Sequence, residues 1–155
     1  MHLKPIIYNK DIEANSQYAF LENMLETKVQ QYCKKLFEWS LAEHQMSYAG
    51  FFQQNDNGTD SSKAKNAIMN KMRKKAEGTI SGWPDVSLVL QGGIVIYVEF
   101  KRIGTPSQID IKDKQITIHH QLKQLGFKTY ITNNPIFFEQ VIMKEVVEVI
   151  KKNLQ

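Results

Sequence analysis

The run Ile94-Val95-Ile96-Tyr97-Val98-Glu99-Phe100-Lys101 constrains this chain more than any other segment. On a strand, side chains alternate between faces, so Ile94, Ile96, Val98 and Phe100 make one apolar face. Val95 and Tyr97 begin the other face, which Glu99 and Lys101 complete. A strand that is apolar on both sides at its start belongs in the middle of a sheet covered on both faces. The carboxylate and the ammonium at its end point the same way. Burying them is costly unless something pairs with them.

The neighbouring segments supply the rest of a small α/β fold. Val86 to Leu90 reads as a strand, and Gln91-Gly92-Gly93 as the turn into the Glu99 strand. Leu21, Leu25, Val29, Tyr32, Leu36 and Trp39 recur at helical spacing. They predict a long amphipathic helix from about Ser16 to Leu41, with Cys33 near its buried edge. Residues 46–54, with Tyr48, Phe51 and Phe52, predict another strand. Asn55 to Ser62 is a loop by composition, and Ser62 is placed to cap a helix over about 63–77 that Gly78 closes. Asp113 is placed to cap a helix over about 114–125, ended by Gly126 before a strand from Lys128 to Thr132. Phe138, Val141, Ile142, Val146, Val149 and Ile150 line a final helix finished by Lys151 and Lys152. This order predicts an α/β fold with a mixed sheet flanked by helices. Residues 1–15 are expected to form an N-terminal arm ahead of one domain over 16–155.

A chain of 155 residues is long enough to bury a real core. Its net charge of +4 and pI near 9.1 favour a polyanionic partner. Cys33 is the only cysteine, which excludes an intrachain disulfide and a cysteine-based zinc site. The start, Met1-His2-Leu3-Lys4-Pro5, has no apolar signal core, and no stretch is long enough to span a membrane. An intracellular, cytoplasmic protein is expected.

Gly82-Trp83-Pro84-Asp85 stands just ahead of the hairpin. Alone, Asp85 reads as a turn residue beside a proline. Paired across the hairpin with Glu99 and Lys101, it becomes a candidate metal ligand in a site suited to cutting phosphodiesters. Hard divalent cations prefer oxygen ligands. Mg²⁺ keeps waters and takes phosphate oxygens, so it needs few protein carboxylates. Glu99 is then a second ligand and the main-chain carbonyl of Phe100 a third. Lys101 either stabilises developing negative charge or orients and deprotonates the attacking water. A lysine snorkelling from a strand end is the plainer reading.

The pattern resembles the PD…ExK nuclease superfamily and, within it, the VRR-NUC (virus-type replication-repair nuclease) family. The GWPD box, the VEFK strand, Gln115 on the next helix and the passage HHQLKQLGFKTYI match in order, over about residues 20–132. The resemblance implies a restriction-endonuclease-like αβββαβ core and a DNA endonuclease that uses Mg²⁺ or Mn²⁺. It maps the family's first-helix glutamate, which helps hold the metal, onto Glu26, with Glu22 one turn earlier as a rival. It sets Gln115 beside the active site, in contact with water or phosphate; a hydrogen bond to the sheet is the structural alternative. Stand-alone members of the family act on branched DNA, including four-way junctions, and work as homodimers. The apolar C-terminal helix and Tyr48, Phe51 and Phe52 are candidate interface surfaces, and core packing explains them equally well. If the source is viral, the location is a host cell. Two alternatives stand beside this reading. One is a restriction-type or phage DNA-processing nuclease of the same fold, the other a DNA-binding module without catalysis.

Lys63, Lys65, Lys71, Arg73, Lys74 and Lys75 crowd one short helix whose only acid is Glu77. A charge run is usually a solvated face. This one leads directly into the Gly82 to Asp85 box, which predicts a phosphate-contacting arm with Ile68, Met69 and Met72 packed inward. His119 reads as a partly buried helix residue and His120 as exposed, neither in company that suits a metal site.

Overall fold

Four strands form one sheet in the order β1 (Gly50–Gln54), β2 (Val86–Leu90), β3 (Ile94–Phe100) and β4 (Lys128–Thr132). The computed structural model describes residues 24–55, 64–103 and 111–155, the side chains of 64–67 and of Lys71 excepted. β1, β2 and β3 run antiparallel in turn, while β3 and β4 are parallel, so the sheet is mixed. β3 lies inside it, as its two apolar faces predict. The helices are α1 (Glu26–Glu43), α2 (Ala64–Ala76) and α3 (Asp113–Gln124). After them come α4 (Pro135–Phe137), a π-helical turn over Phe138–Met143 and α5 (Lys144–Asn153), in unbroken succession. Set α2 aside as an insertion, and the order through β4 is the expected αβββαβ.

One face of the sheet holds the main core. Leu88, Ile96, Val98 and Phe100 are wholly buried there. Val29, Cys33, Phe37 and Leu41 cover them from α1, and Phe138, Ile142, Val146 and Ile150 from the C-terminal helical run. Phe52 reaches in from β1, stacking 6.2 Å from Phe100 and meeting Phe37 edge-on at 5.9 Å. Each large side chain buried this way contributes about 1.5–3 kcal/mol. The opposite face carries Tyr97, whose ring lies between Trp83 and Phe127 at 5.4 Å from each. Further along that face come Glu99 and Lys101, with α3 packed beside β4.

The elements depart from expectation in several places. The first helix runs Glu26–Glu43, and residues 16–23, including Leu21 and Glu22, lie outside the described residues. Its buried stripe is Val29, Cys33, Phe37 and Leu41, while Leu25 and Trp39 are exposed. Cys33 is therefore central to the stripe rather than at its edge. The strand expected over 46–54 begins only at Gly50, because the Met46 N–H returns to the Leu41 carbonyl (2.7 Å) and Ala49 to Met46 (2.8 Å), a turn rather than a strand. Lys112, not Asp113, occupies the cap position of α3. The last helical run starts early, at Pro135, where the Asn134 side chain accepts the Ile136 N–H (2.9 Å). Val141 faces solvent.

The largest departure concerns α2. Ile68, Met69 and Met72 were expected to pack inward, and all three are about 70% exposed, at 69%, 72% and 69%. α1 and the C-terminal helices cover one side of the sheet and α3 only the β4 end of the other, on which Phe51 and Val89 stay exposed; these three side chains of α2 are buried against neither. Tyr48 and Phe51 are also exposed, whereas the apolar side of the C-terminal helix is consumed by the protein's own core. Core packing thus explains that helix and Phe52, but not Tyr48 or Phe51. The expected arm over 1–15 and the Ser62 cap lie outside the described residues. Among the described residues, no helix is long and apolar enough to cross a membrane.

Candidate active site

The hairpin register brings the carboxylates together. Val86 opposes Val98, so one step further along the antiparallel pair Asp85 comes beside Glu99. The Asp85 Oδ2 accepts the Phe100 N–H (2.8 Å), and its carbonyl accepts the Asn55 N–H (2.7 Å). Asn55 also donates from its side chain to the Pro84 carbonyl and to Ser87 Oγ, each at 2.9 Å. The loop before β2 is thus fastened to the ends of both β1 and β3. Asn55 read only as a loop residue in the sequence; an asparagine at a strand end is too common there to signal this role.

Gly82 explains the first letter of the GWPD box. Its φ is +86°, and a Cβ there would sit 2.7 Å from the carbonyl carbon and oxygen of Lys114 and 3.0 Å from the Gln115 nitrogen. Only a residue without a side chain fits against the first turn of α3. That contact seats Gln115, whose Oε1 accepts the Lys112 N–H at 3.1 Å.

Glu99, Lys101 and Gln115 form a closed triangle. The Lys101 Nζ lies 3.1 Å from Glu99 Oε1 and donates to Gln115 Oε1 at 3.0 Å. The Gln115 amide in turn donates to Glu99 Oε1. Glu99 is fully buried and Lys101 nearly so. The other carboxylate oxygen, Oε2, is buried without a hydrogen-bond partner among the described residues. Burial, then the Asp85 carboxylate and more weakly that of Glu26, push the Glu99 carboxyl up to about 8, and the Lys101 ammonium only partly opposes them. Glu26, half-buried at the first position of α1, is therefore within electrostatic reach of the site.

His119 is more deeply placed than expected. It is buried, its Nε2 has no partner among the described residues, and burial together with the Lys101 charge lowers its pKa to about 4. His120 is half-buried rather than exposed and contacts Gln124 through Nε2 (3.2 Å). The end of β4 adds buried polar groups that the sequence reading missed. The Thr132 carbonyl accepts the Lys101 N–H (3.0 Å), and the Asn133 side chain donates to the Arg102 carbonyl (3.3 Å). An Asn-Asn-Pro sequence after a strand signals a helix cap, but not this second duty.

The basic residues are only partly described. Lys63 and the side chains of Lys65 and Lys71 lie outside the described residues. Arg73 and Lys75 are exposed, Lys74 is half-buried, and Arg73 pairs with Glu77 at 3.5 Å. Their helix leads through Gly78 and Ile80 to the GWPD box.

The donor set can be tested against a divalent cation. Among the described residues, no group of three or more His, Cys, Asp or Glu side chains forms a metal cage. The site offers less than a cage: a buried orphan oxygen on Glu99, with two further carboxylates acting on it and only one ammonium to offset three acids. That set fits a hard cation that keeps water and takes other oxygen ligands, as Mg²⁺ does, and does not fit a cation needing an all-protein shell. No known family profile matches the chain, and no curated protein or solved structure matches it.

Proposed function

We propose that this protein is a Mg²⁺- or Mn²⁺-dependent DNA endonuclease of the VRR-NUC type. The observation that carries the reading is the division of labour on Glu99. One oxygen is held by Lys101 and Gln115, and the other is buried and unpartnered beside the acidic charge of Asp85 and Glu26. Asp85, Glu99 and Glu26 would hold the cation, with the Phe100 carbonyl as a further oxygen. The bound cation would supply charge neutralisation at the scissile phosphate and an acidified water. Lys101 stabilises negative charge on the reacting phosphate, its ammonium fixed by Glu99 and Gln115. Gln115 orients Lys101 and keeps Glu99 turned so that its free oxygen faces the site.

The basic side chains of α2, with Arg73 and Lys75 exposed, contact the DNA backbone. The substrate is branched DNA such as a four-way junction, cut by a homodimer, since two symmetric nicks call for two symmetry-related sites. Tyr48 and Phe51, exposed beside the edge strand β1, are the available apolar surface for that pairing. The test incubates purified protein with labelled linear, flap and four-way DNA, with and without Mg²⁺ or Mn²⁺, alongside light scattering. Metal-dependent nicking supports the reading. Binding without cleavage under every metal condition would leave a DNA-binding module instead, and a strict monomer with DNA present would remove paired junction cleavage.

A further inference from the structure

Two polar groups at the heart of the site have capacity that the proposed chemistry does not use. An ammonium has three N–H donors. Among the described residues, Lys101 directs two of them, to Glu99 Oε1 and Gln115 Oε1. It is 5% exposed, so solvent is poorly placed to satisfy the third. His119 lies one helical turn after Gln115 on the same face of α3, and residues four apart on a helix are neighbours. It is 4% exposed, and its Nε2 is buried without a partner among the described residues. The Lys101 charge acts on His119, so the two groups are within electrostatic reach of each other. A buried ammonium with a spare N–H and a buried nitrogen without a partner each carry a desolvation cost that pairing removes.

We propose that His119 is a positioning residue for Lys101: its neutral imidazole accepts the third N–H of the ammonium at Nε2 across one water. The lysine is then held at three points by Glu99, Gln115 and His119, and its charge is aimed rather than merely present. Losing His119 frees the ammonium to rotate away from the reacting phosphate without altering the surface that binds DNA. The catalytic consequence rests on the nuclease reading, but the hydrogen bond itself does not.

The two parts are tested separately. Nitrogen-15 NMR of the intact protein near neutral pH, with His119 assigned by the disappearance of its signals in His119→Gln, is expected to show a single tautomer with Nδ1 protonated and Nε2 unprotonated. The Nε2 resonance is expected to move in Lys101→Met. An Nε2-protonated tautomer, an imidazolium, or an Nε2 signal indifferent to Lys101→Met would overturn the proposal. On the activity side, His119→Phe is expected to lower kcat by about ten- to a hundredfold with KM for DNA unchanged. His119→Gln, which keeps an acceptor at the distal position, is expected to restore most of it. Equal loss of kcat in both variants, matched by equal loss of melting temperature, would reduce His119 to a structural residue. If the unaltered protein cleaves no DNA, the nuclease reading fails while the NMR result still decides the hydrogen bond.

Discussion

Gly82 rests against the carbonyl of Lys114 with only 2.7 Å available for any added carbon, which makes the turn before β2 and the start of α3 a single packed unit. Gly82→Ala therefore combines two costs, the left-handed backbone conformation and a collision with immobile main chain. The expected destabilisation is about 2–5 kcal/mol. Gly78 has a similar φ, +97°, but open space around it, so Gly78→Ala is expected to cost only about 1–2 kcal/mol. Thermal denaturation of both variants checks the difference. Equal losses would mean that the contact with α3 is slack.

The raised Glu99 pKa gives stability a distinctive pH dependence. Between its ordinary value of 4.5 and about 8, the folded protein holds a proton that the unfolded chain has released. Stability therefore falls as pH rises through that window. His119 works the other way between about 4 and its ordinary 6.5, because its burial disfavours the charged form. The Glu99 effect is thus read cleanly from pH 6.5 to 8. In a chelating buffer the melting temperature is expected to drop across that range, and Glu99→Gln to abolish most of the drop and melt higher than the unaltered protein at pH 8. A Gln variant that retains the full slope would assign it to other groups.

Lys101→Met tests the chemistry. It is expected to reduce cleavage by at least about a hundredfold, the scale seen when a group stabilising transition-state charge is removed. DNA affinity should stay within about threefold, because Lys101 is buried against Glu99 and Gln115 instead of lying on the surface that meets the DNA backbone. Single-turnover kinetics with a binding titration separate the two effects, and undiminished cleavage would remove Lys101 from the reaction.

Replacing Lys71, Arg73, Lys74 and Lys75 of α2 by glutamine tests the basic helix. Each lost phosphate contact should flatten the plot of log affinity against log salt by about 0.9. Fluorescence anisotropy at several salt concentrations gives the slope. If it does not change, these charges are a solvated helix face.

The sheet was legible in the sequence because its signals are strong and local. The double apolar face of residues 94–100 marks an interior strand, and Gly92-Gly93 marks its turn; the resemblance supplied the αβββαβ order. Asp85, Glu99, Lys101 and Gln115 do converge, since register and alternation fix three of them and the helix start fixes the fourth. What escaped depends on long-range packing. Ile68, Met69 and Met72 are apolar at helical spacing, yet no pattern within α2 reveals that the folded chain leaves them uncovered. The stripe of α1 was displaced because Leu25 and Trp39 are apolar without being buried, while Cys33 and Phe37 share the i, i+4 line from Val29. His119 looked ordinary because depth is a property of the neighbouring strands, not of its own helix.

The bond between the Asn55 amide and the Asp85 carbonyl has an evolutionary consequence. The chain departs from the sheet at Asn55 and comes back to it at Asp85, and the points of departure and return are tied to each other at 2.7 Å. The part of that excursion ahead of Gly82, α2 included, hangs from a closed neck. For such a loop the entropic penalty grows only with the logarithm of its length. The part of the excursion ahead of Gly82 can therefore be lengthened, shortened or exchanged for an unrelated segment while Asp85 keeps its place opposite Glu99. A lineage built on this plan is free to diversify what the protein grips without renegotiating the pocket where its charges meet.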